Sequence, residues 1–242
     1  SSVSPVTYPR IATRKVLDGS PGVNADGSYD VKFKVFVKNT GTQDLTGVLV
    51  DDILSGAYSK FGTYTPTGTL TPGQYRVITA PSVVGAGALV AGSGFTGESA
   101  HKNIAGGSLI VGAENEIRFT LRVFPATSNL SDYENSATSI GTGLFSQTSE
   151  DTSNDGASYE DGAGNGNFNE SADNTPTLVS FTESAQIGSA LSVAGVSDNF
   201  DGTYNVQYRL IIKNTGSVNL SEIKASENLS SIFSAANGFD LV

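Results

Sequence analysis

Apolar and polar residues alternate along two stretches of the chain that have closely similar sequences. The first runs from Asp26 to Gly41 and the second from Asp201 to Gly216, without a gap and at an offset of 175 positions (201 − 26). One face of each stretch is almost wholly apolar, as period-two alternation requires of a half-buried antiparallel strand. Asp-Gly and Asn-Thr-Gly turns bound both copies, which is typical of strand ends. A strand repeated together with its turns predicts a repeated domain.

Other segments alternate in the same way, and no segment has a sustained helical period. The predicted strands cover 6–11 with 16–17 (interrupted by Pro9), 45–52, 74–79, 117–123, 133–140 and 177–182. We predict that 45–52 is the hairpin partner of the repeated strand and that the Gly-rich stretch 85–107 lies on the surface. Helical turns are expected only near 130–133 and 229–233. Many short strands joined by turns predict an all-β fold, a β-sandwich.

The repeat divides the chain into a complete domain, 1–178, and the N-terminal part of a second, 179–242. At the repeat offset residue 242 corresponds to residue 67, so the second copy has no counterpart of the strands at 117–123 and 133–140. A sandwich without those strands would expose apolar faces and unpaired edges. We expect either that the chain is an excerpt of a longer array or that another subunit completes the fold by strand addition.

Composition excludes several classes of function. The net charge is −10 and the pI about 4.5, which argues against a nucleic-acid partner because nothing would neutralise phosphates. The chain has no Cys, so disulfides, thiol catalysis and cysteine metal sites are excluded. It has no apolar run long enough to span a bilayer. Ser1 is not a translational start, since Met is absent altogether.

A series of short motifs resembles a known family. These motifs are Lys15, Asp-Gly-Ser-Tyr, Lys-Asn-Thr-Gly, Leu-Thr-Gly-Val-Leu-Val-Asp-Asp, Ile-Arg-Phe-Thr-Leu-Arg-Val, Tyr-Glu-Asn-Ser-Ala-Thr and Asp-Thr-Ser-Asn-Asp-Gly. In this order they are similar to the immunoglobulin-like repeat, long catalogued as a domain of unknown function, of large bacterial surface adhesins, including gliding-motility adhesins. The resemblance covers nearly the whole chain. It implies tandem immunoglobulin-like domains in an extracellular structural protein, and no chemistry.

An acidic loop, 149–175, is the first candidate site. No Lys or Arg occurs between Val123 and Tyr208, so the crowded carboxylates repel one another unless a cation lies among them. Hard oxygen ligands with flexible Gly spacing suit Ca²⁺, and the resemblance also implies calcium near a domain junction. The spacing does not match an EF-hand, because its twelfth position falls on Gly162. The alternative is a solvated loop. The predicted ligands are Asp151, Asn154, Asp155, Glu160, Asp161, Asn165, Asn167, Glu170 and Asp173.

The second candidate comes from the resemblance. Some related surface repeats cross-link a lysine of an N-terminal strand to an asparagine of a C-terminal strand, assisted by a buried acid. Here the pair would be Lys15 and Asn135, with Asp51, Asp52 or Glu116 as the acid. Aligning Ile11 with Ile187 places Leu191 opposite Lys15, so the second repeat lacks the lysine. The simpler interpretation is an exposed lysine beside a strand asparagine, because most surface polar residues need no special role.

Catalysis is not expected. Gly97-Glu98-Ser99-Ala100-His101 resembles a nucleophile elbow but has His where the second Gly belongs, and it lacks the strand–nucleophile–helix context. The sequence therefore predicts a spacer or stalk in a bacterial cell-surface adhesin, stiffened by Ca²⁺, that contacts neighbouring repeats and neither nucleic acid nor the membrane interior. The alternative is an extracellular filament or S-layer subunit that polymerises with other subunits by strand complementation.

Overall fold

The computed structural model describes residues 7–55, 60–126, 130–131, 133–183, 185–216 and 218–242. Almost all regular structure is β, which confirms the predicted immunoglobulin-like β-sandwich class. The only helices in the described residues are a 3₁₀ turn at Leu144–Ser146 and a short helix, α1, at Leu229–Ile232. The strands are β1 Ile11–Leu17, β2 Gly22–Val23, β3 Tyr29–Asn39, β4 Leu45–Asp52, β5 Thr63–Tyr64, β6 Gln74–Gly85, β7 Ala88–Ala91, β8 Asn103–Leu109, β9 Glu114–Phe124, β10 Tyr133–Asn135, β11 Ala137–Thr142, β12 Thr148–Thr152, β13 Asn154–Asp155, β14 Thr177–Val179, β15 Ile187–Asp198 and β16 Tyr204–Asn214.

The chain forms two compact units, residues 1–183 and 184–242. In the first unit the repeated strand β3 lies in the middle of a seven-stranded sheet, between β1 and β9. Its alternation works as predicted, since every second side chain from Tyr29 to Asn39 is buried. Strand β9 pairs antiparallel with β3 from Tyr29 opposite Val123 to Lys38 opposite Glu114. The two alternating strands therefore place a continuous apolar face against the second sheet.

The second sheet has the order β12-β11-β4-β8-β7. The prediction that 45–52 forms a hairpin with the repeated strand is wrong, because β4 pairs with β8 and β11 instead. The chain crosses from one sheet to the other after Asn39, whose side-chain Nδ2 donates to the carbonyls of Gln43 and Leu109, each at 2.9 Å. This buried amide fixes the crossover, so a short loop joins strands of different sheets.

The Gly-rich stretch 85–107 is not a surface segment, as the sequence had suggested. It contains β7 and the start of β8, and Leu89, Phe95 and Ile104 contribute to the core. Glycine serves close packing here: a Cβ at Gly92 would lie 2.1 Å from the carbonyl oxygen of Asn103. High glycine content thus reflects backbone approach between strands at this point.

The second unit repeats the beginning of the first in detail. Strands β15 and β16 form a hairpin in which Leu191 is opposite Leu210, as Lys15 is opposite Val35 in the first unit. Its turns repeat as well, because Asp201 Oδ1 accepts from the Thr203 amide at 2.9 Å, as Asp26 Oδ1 does from Ser28 at 3.0 Å. The counterpart of β4, residues 220–227, is not a strand.

Apolar side chains of this hairpin remain exposed. Leu191, Val193 and Leu210 are between 44% and 55% exposed, whereas of their counterparts in the first unit Lys15 and Val35 are buried and Leu17 is partly buried. Among the described residues, the sheet of the second unit consists of β15 and β16 alone. None of the described helices is long and apolar enough to cross a membrane.

Candidate functional site: a buried Lys–Asp–Asn cluster

Lys15 lies inside the sandwich, with no exposed surface. The prediction of an exposed lysine is therefore wrong. Strand β1 places Ile11, Thr13 and Lys15 on one face, and all three are buried. The Lys15 ammonium nitrogen is 4.4 Å from the centre of the Phe33 ring and 5.5 Å from that of Phe119. A lysine among aromatic rings has little water, so its charge depends on the groups it contacts.

Asp52, the last residue of β4, is the acid in contact with this lysine. Lys15 Nζ donates a hydrogen bond to Asp52 Oδ2, and both side chains have no exposed surface. The other two acids suggested by the sequence have partners elsewhere. Asp51 pairs with Lys102 at 2.9 Å, and Glu116 pairs with Arg118 on the surface. The geometry thus selects one acid of the three.

Asn135 completes the cluster from β10. It is 3% exposed, and it is two residues before Ala137, which is opposite Asp52 in the pairing of β11 with β4. Strand β10 pairs with β14, where Thr177 is opposite Asn135 and donates its hydroxyl to the Lys15 carbonyl at 2.9 Å. The Asn135 amide is near enough to Asp52 to favour its charged form. Nevertheless, its Nδ2 has no well-formed hydrogen bond among the described residues.

Burial drives both ionisable groups of the cluster toward their neutral forms. Desolvation lowers the pKa of Lys15, although the charge and hydrogen bond of Asp52 oppose this. Desolvation likewise raises the pKa of Asp52, against the opposing effects of Lys15 and Asn135. A neutral amine is a nucleophile, and a protonated carboxyl can polarise an amide carbonyl. The cluster thus brings an amine, a carboxyl and an amide whose Nδ2 lacks a well-formed hydrogen bond into one water-poor place.

The nine predicted calcium ligands are spread over strands β12 and β13 and the segment that follows them, and the calcium site stays a prediction. Among the described residues no group of three or more His, Cys, Asp and Glu side chains is arranged to hold a metal ion. Asp151 and Asn154 belong to strands β12 and β13 and are buried, as is Asp173, whereas Asp155 and Glu160 are exposed. The acidic segment is thus partly strand, contrary to its description as a loop throughout.

The rest of the loop uses its polar side chains to hold its own backbone. Asp161 accepts hydrogen bonds from the amides of Asn165 at 3.1 Å and Gly166 at 2.7 Å. Asn165 in turn accepts from the amide of Asn167 at 2.7 Å and donates to Glu170 at 2.7 Å. Asn and Asp residues commonly stabilise turns in this way. This local bonding accounts for much of the Asp, Asn and Gly content from which an ion site was predicted.

His101 lies in an exposed turn, and its backbone amide donates to the Glu98 carbonyl at 2.9 Å. The absence of catalysis remains a prediction. The buried acid Asp52 was one of three suggested by the sequence, whereas the aromatic surroundings of Lys15 were not foreseen. A signal for the burial of Lys15 exists, because Ile11 and Leu17 flank it at even spacing on one face of the strand. Period-two phase therefore directs Lys15 inward.

Comparison with known proteins gives only distant structural similarity. No protein-family model matches the chain, and no curated protein sequence matches it. The crystal structure of BcpA, the major pilin subunit of Bacillus cereus, is similar with a TM-score of 0.40 and 14% identity, covering 87% of this chain. A variant of that pilin subunit gives a TM-score of 0.39 and 12% identity over 86% of this chain. The chain spans 56% of the length of either structure. Similarity of this degree carries no argument about function.

Proposed function

We propose that the chain is a structural spacer of an extracellular bacterial surface protein, and that an amide bond between Lys15 and Asn135 locks its complete domain. The observation that carries this proposal is the buried contact of Lys15 with Asp52, next to an asparagine whose Nδ2 lacks a well-formed hydrogen bond. An unreacted buried ion pair contributes little net stability. A chemical role explains better why the charges are inside.

The reaction follows from the positions of the three groups. The neutral amine of Lys15 attacks Cγ of Asn135 and forms the new C–N bond, while protonated Asp52 donates to the amide oxygen. Asp52 then carries the proton lost by the amine to Nδ2, the Cγ–Nδ2 bond breaks, and ammonia leaves. As the C=O bond re-forms, the proton on the former amide oxygen returns to Asp52, so the carboxyl ends protonated as it began. The mass falls by about 17 Da, the mass of the ammonia released.

The cross-link has a mechanical consequence. It joins β1, in the first sheet, to β10, which follows β9 and precedes β11 of the second sheet. A force that pulls on the chain before Lys15 and after Asn135 would then pass through this covalent bond. The strands between the two residues would carry no load and could not be pulled apart. Leu191 occupies the position of Lys15 in the second unit, so the second unit cannot form the same bond. The proposed role is that of a long, rigid spacer that turns over no substrate.

A peptide map of the purified protein tests the proposal. We expect a branched peptide that contains Lys15 and Asn135 and lacks one ammonia. Lys15→Met abolishes it, as does Asp52→Asn. The matched control is Lys102→Met, because Lys102 pairs with Asp51, the residue adjacent to Asp52, and this variant keeps the branched peptide. Recovery of unlinked Lys15 and Asn135 peptides from the folded wild-type protein would refute the cross-link.

A filament subunit is the second candidate function, favoured by the exposed apolar hairpin. In the first unit β3 is flanked by β1 and β9. Its counterpart in the second unit, β16, pairs with β15 alone among the described residues. A strand from a second copy of the chain could take the position of β9. Light scattering distinguishes the two roles: growth of fibres with concentration supports the filament, and a monodisperse extended monomer supports the spacer.

A further inference from the structure

The strand that carries Asn135 belongs to neither main sheet. Strand β10 is three residues long and, among the described residues, pairs only with β14, which is equally short. In both strands the first and third residues are buried and the middle one is exposed, and the buried pairs are Tyr133 with Val179 and Asn135 with Thr177. An isolated pair of strands is at most marginally stable in water. The position of Asn135 therefore depends on the contacts that hold this pair against the rest of the domain.

Aromatic side chains hold one end of the pair. The Tyr133 and Phe181 rings are in edge-to-face contact with their centres 4.9 Å apart, and the Tyr29 ring centre lies 4.8 Å from that of Phe181. The Tyr29 hydroxyl donates to the Thr182 carbonyl at 2.8 Å. Buried aromatic contacts contribute both apolar area and a preferred ring geometry. They anchor the pair at Tyr133, two residues before Asn135.

A hydroxyl group connects the other end of the pair to the lysine. Thr177 is 1% exposed, and its hydroxyl donates to the Lys15 carbonyl at 2.9 Å. Thr177 thus bonds to the residue that supplies the amine, and it is paired with Asn135, the residue that supplies the amide. Side chains of directly opposite residues have Cβ atoms about 4.5–5.5 Å apart. The hydrogen bond to Lys15 therefore sets where the Asn135 side chain lies relative to the lysine.

We infer that Thr177 is a positioning residue for the Lys15–Asn135 bond, an inference that rests on the proposed cross-link. Its hydroxyl bonds to the backbone of Lys15, so it acts through the placement of Asn135 and exchanges no proton with the reacting atoms. Proximity supplies much of the rate of a reaction within one molecule, and a misplacement of about 1 Å can slow it about a hundredfold. Loss of the hydroxyl leaves the aromatic anchor at Tyr133 in place. The domain then still folds, while the bond forms slowly.

The isosteric change Thr177→Val separates positioning from folding. The full chain is made by cell-free synthesis, synthesis is stopped, and timed samples are treated with protease to remove unfolded molecules and then quenched in acid. Mass spectrometry gives the fraction of resistant molecules whose digest contains the branched Lys15–Asn135 peptide. We expect this bond to form at least about tenfold more slowly in folded Thr177→Val than in the wild type. Thr177→Ser keeps the hydroxyl and should react near the wild-type rate.

Thr13→Val is the matched control. Thr13 lies on the same face of β1 as Lys15, is also 1% exposed, and its hydroxyl contacts that of Ser139 outside the cluster. Each valine variant leaves one buried polar group without its partner, but only Thr177→Val does so beside Asn135. We expect the control to form the bond at the wild-type rate. If Thr177→Val does not fold, Thr177→Ala, which removes the hydroxyl without adding bulk, provides the same comparison.

Four results would overturn the positioning role while the cross-link stands. They are equal rates in folded Thr177→Val and wild type, a rate for Thr177→Ser as slow as that of Thr177→Val, an equal slowing in Thr13→Val, and failure of both hydroxyl-free variants to fold. The last would mean that the hydroxyl supports the fold itself. A folded wild-type protein that never forms the branched peptide would overturn the cross-link and this role together. Failure of the positioning role is therefore distinguishable from failure of the Lys15–Asn135 bond.

Discussion

Removal of the asparagine isolates the effect of the proposed cross-link on stability. Asn135→Ala deletes the acceptor of the bond but leaves the contact between Lys15 and Asp52 in place. Substitution of either charged partner would leave the other unpaired in the core, which typically costs 3–5 kcal/mol by itself. The alanine variant avoids that cost, so its loss of stability reports mainly the bond.

The magnitude follows from the length of chain that the bond closes. Lys15 and Asn135 are 120 positions apart. If the amide acts like a disulfide that restricts the unfolded chain, closing a loop of this length stabilises the fold by about 5 kcal/mol at 25 °C. For a domain of this size 1 kcal/mol corresponds to roughly 2–4 °C. Asn135→Ala should therefore melt about 10–20 °C below the wild type.

Differential scanning calorimetry provides the measurement, with Asn174→Ala as a control for loss of a partly buried asparagine outside the cluster. We expect the control to change the melting temperature by no more than about 4 °C, because a single hydrogen bond contributes about 1 kcal/mol. A melting temperature for Asn135→Ala within this same range of the wild type would refute the reasoning, since no long loop would then have been opened.

Two further predictions concern stability. Asp30 accepts hydrogen bonds from Arg122 at 2.7 and 3.0 Å, and these bonds lower the pKa of Asp30 in the folded state. The pair stabilises the fold by about 1 kcal/mol, as is typical of a partly exposed ion pair. This stabilisation is fully present above the unfolded pKa of about 3.9 and is lost as the pH falls through the lower folded pKa. The urea midpoints of wild type and Asp30→Asn should therefore converge as the pH falls below about 4, and a constant difference would contradict this. Asn39→Ala removes the donor to two carbonyls and should lower the free energy of unfolding by about 2–4 kcal/mol, measured by chemical denaturation. Asn214→Ala, at the exposed counterpart in the second unit, should lower it by under about 1 kcal/mol. Equal losses in the two variants would contradict this prediction.

The sequence predicts strands well where one face of the strand is clearly apolar and the other clearly polar. Strand β3 and strand β9 match the predicted segments because Lys, Arg and Thr mark the solvent side. Pairing could not be predicted in the same way, since β4 has a strand pattern that fits either sheet. The buried amide of Asn39, which directs the crossover, looks like an ordinary turn residue in the sequence. The prediction that the Gly-rich stretch 85–107 lies on the surface was wrong, because glycine allows close approach of backbones in and beside β7 and β8.

The candidate sites show a similar division. Lys15 and Asn135 could be named from a resemblance, but the choice of Asp52 over Asp51 depends on which of two adjacent side chains points into the core, and that is set by the phase of β4. For the acidic segment, charge density drew attention to exposed residues such as Glu160. The informative feature is that Asp151 and Asp173 are buried while one oxygen of each carboxyl has no donor among the described residues, and burial depends on how the segment folds back on β12.

The intact mass of the purified wild-type chain tests the central claim most directly. Denaturing electrospray mass spectrometry resolves a difference of a few daltons in a protein of 25.0 kDa. We predict a mass about 17 Da below that of the sequence, the loss of one ammonia, and the full sequence mass for Lys15→Met after allowance for the substitution. A wild-type protein that is folded and has its full sequence mass would contradict the account.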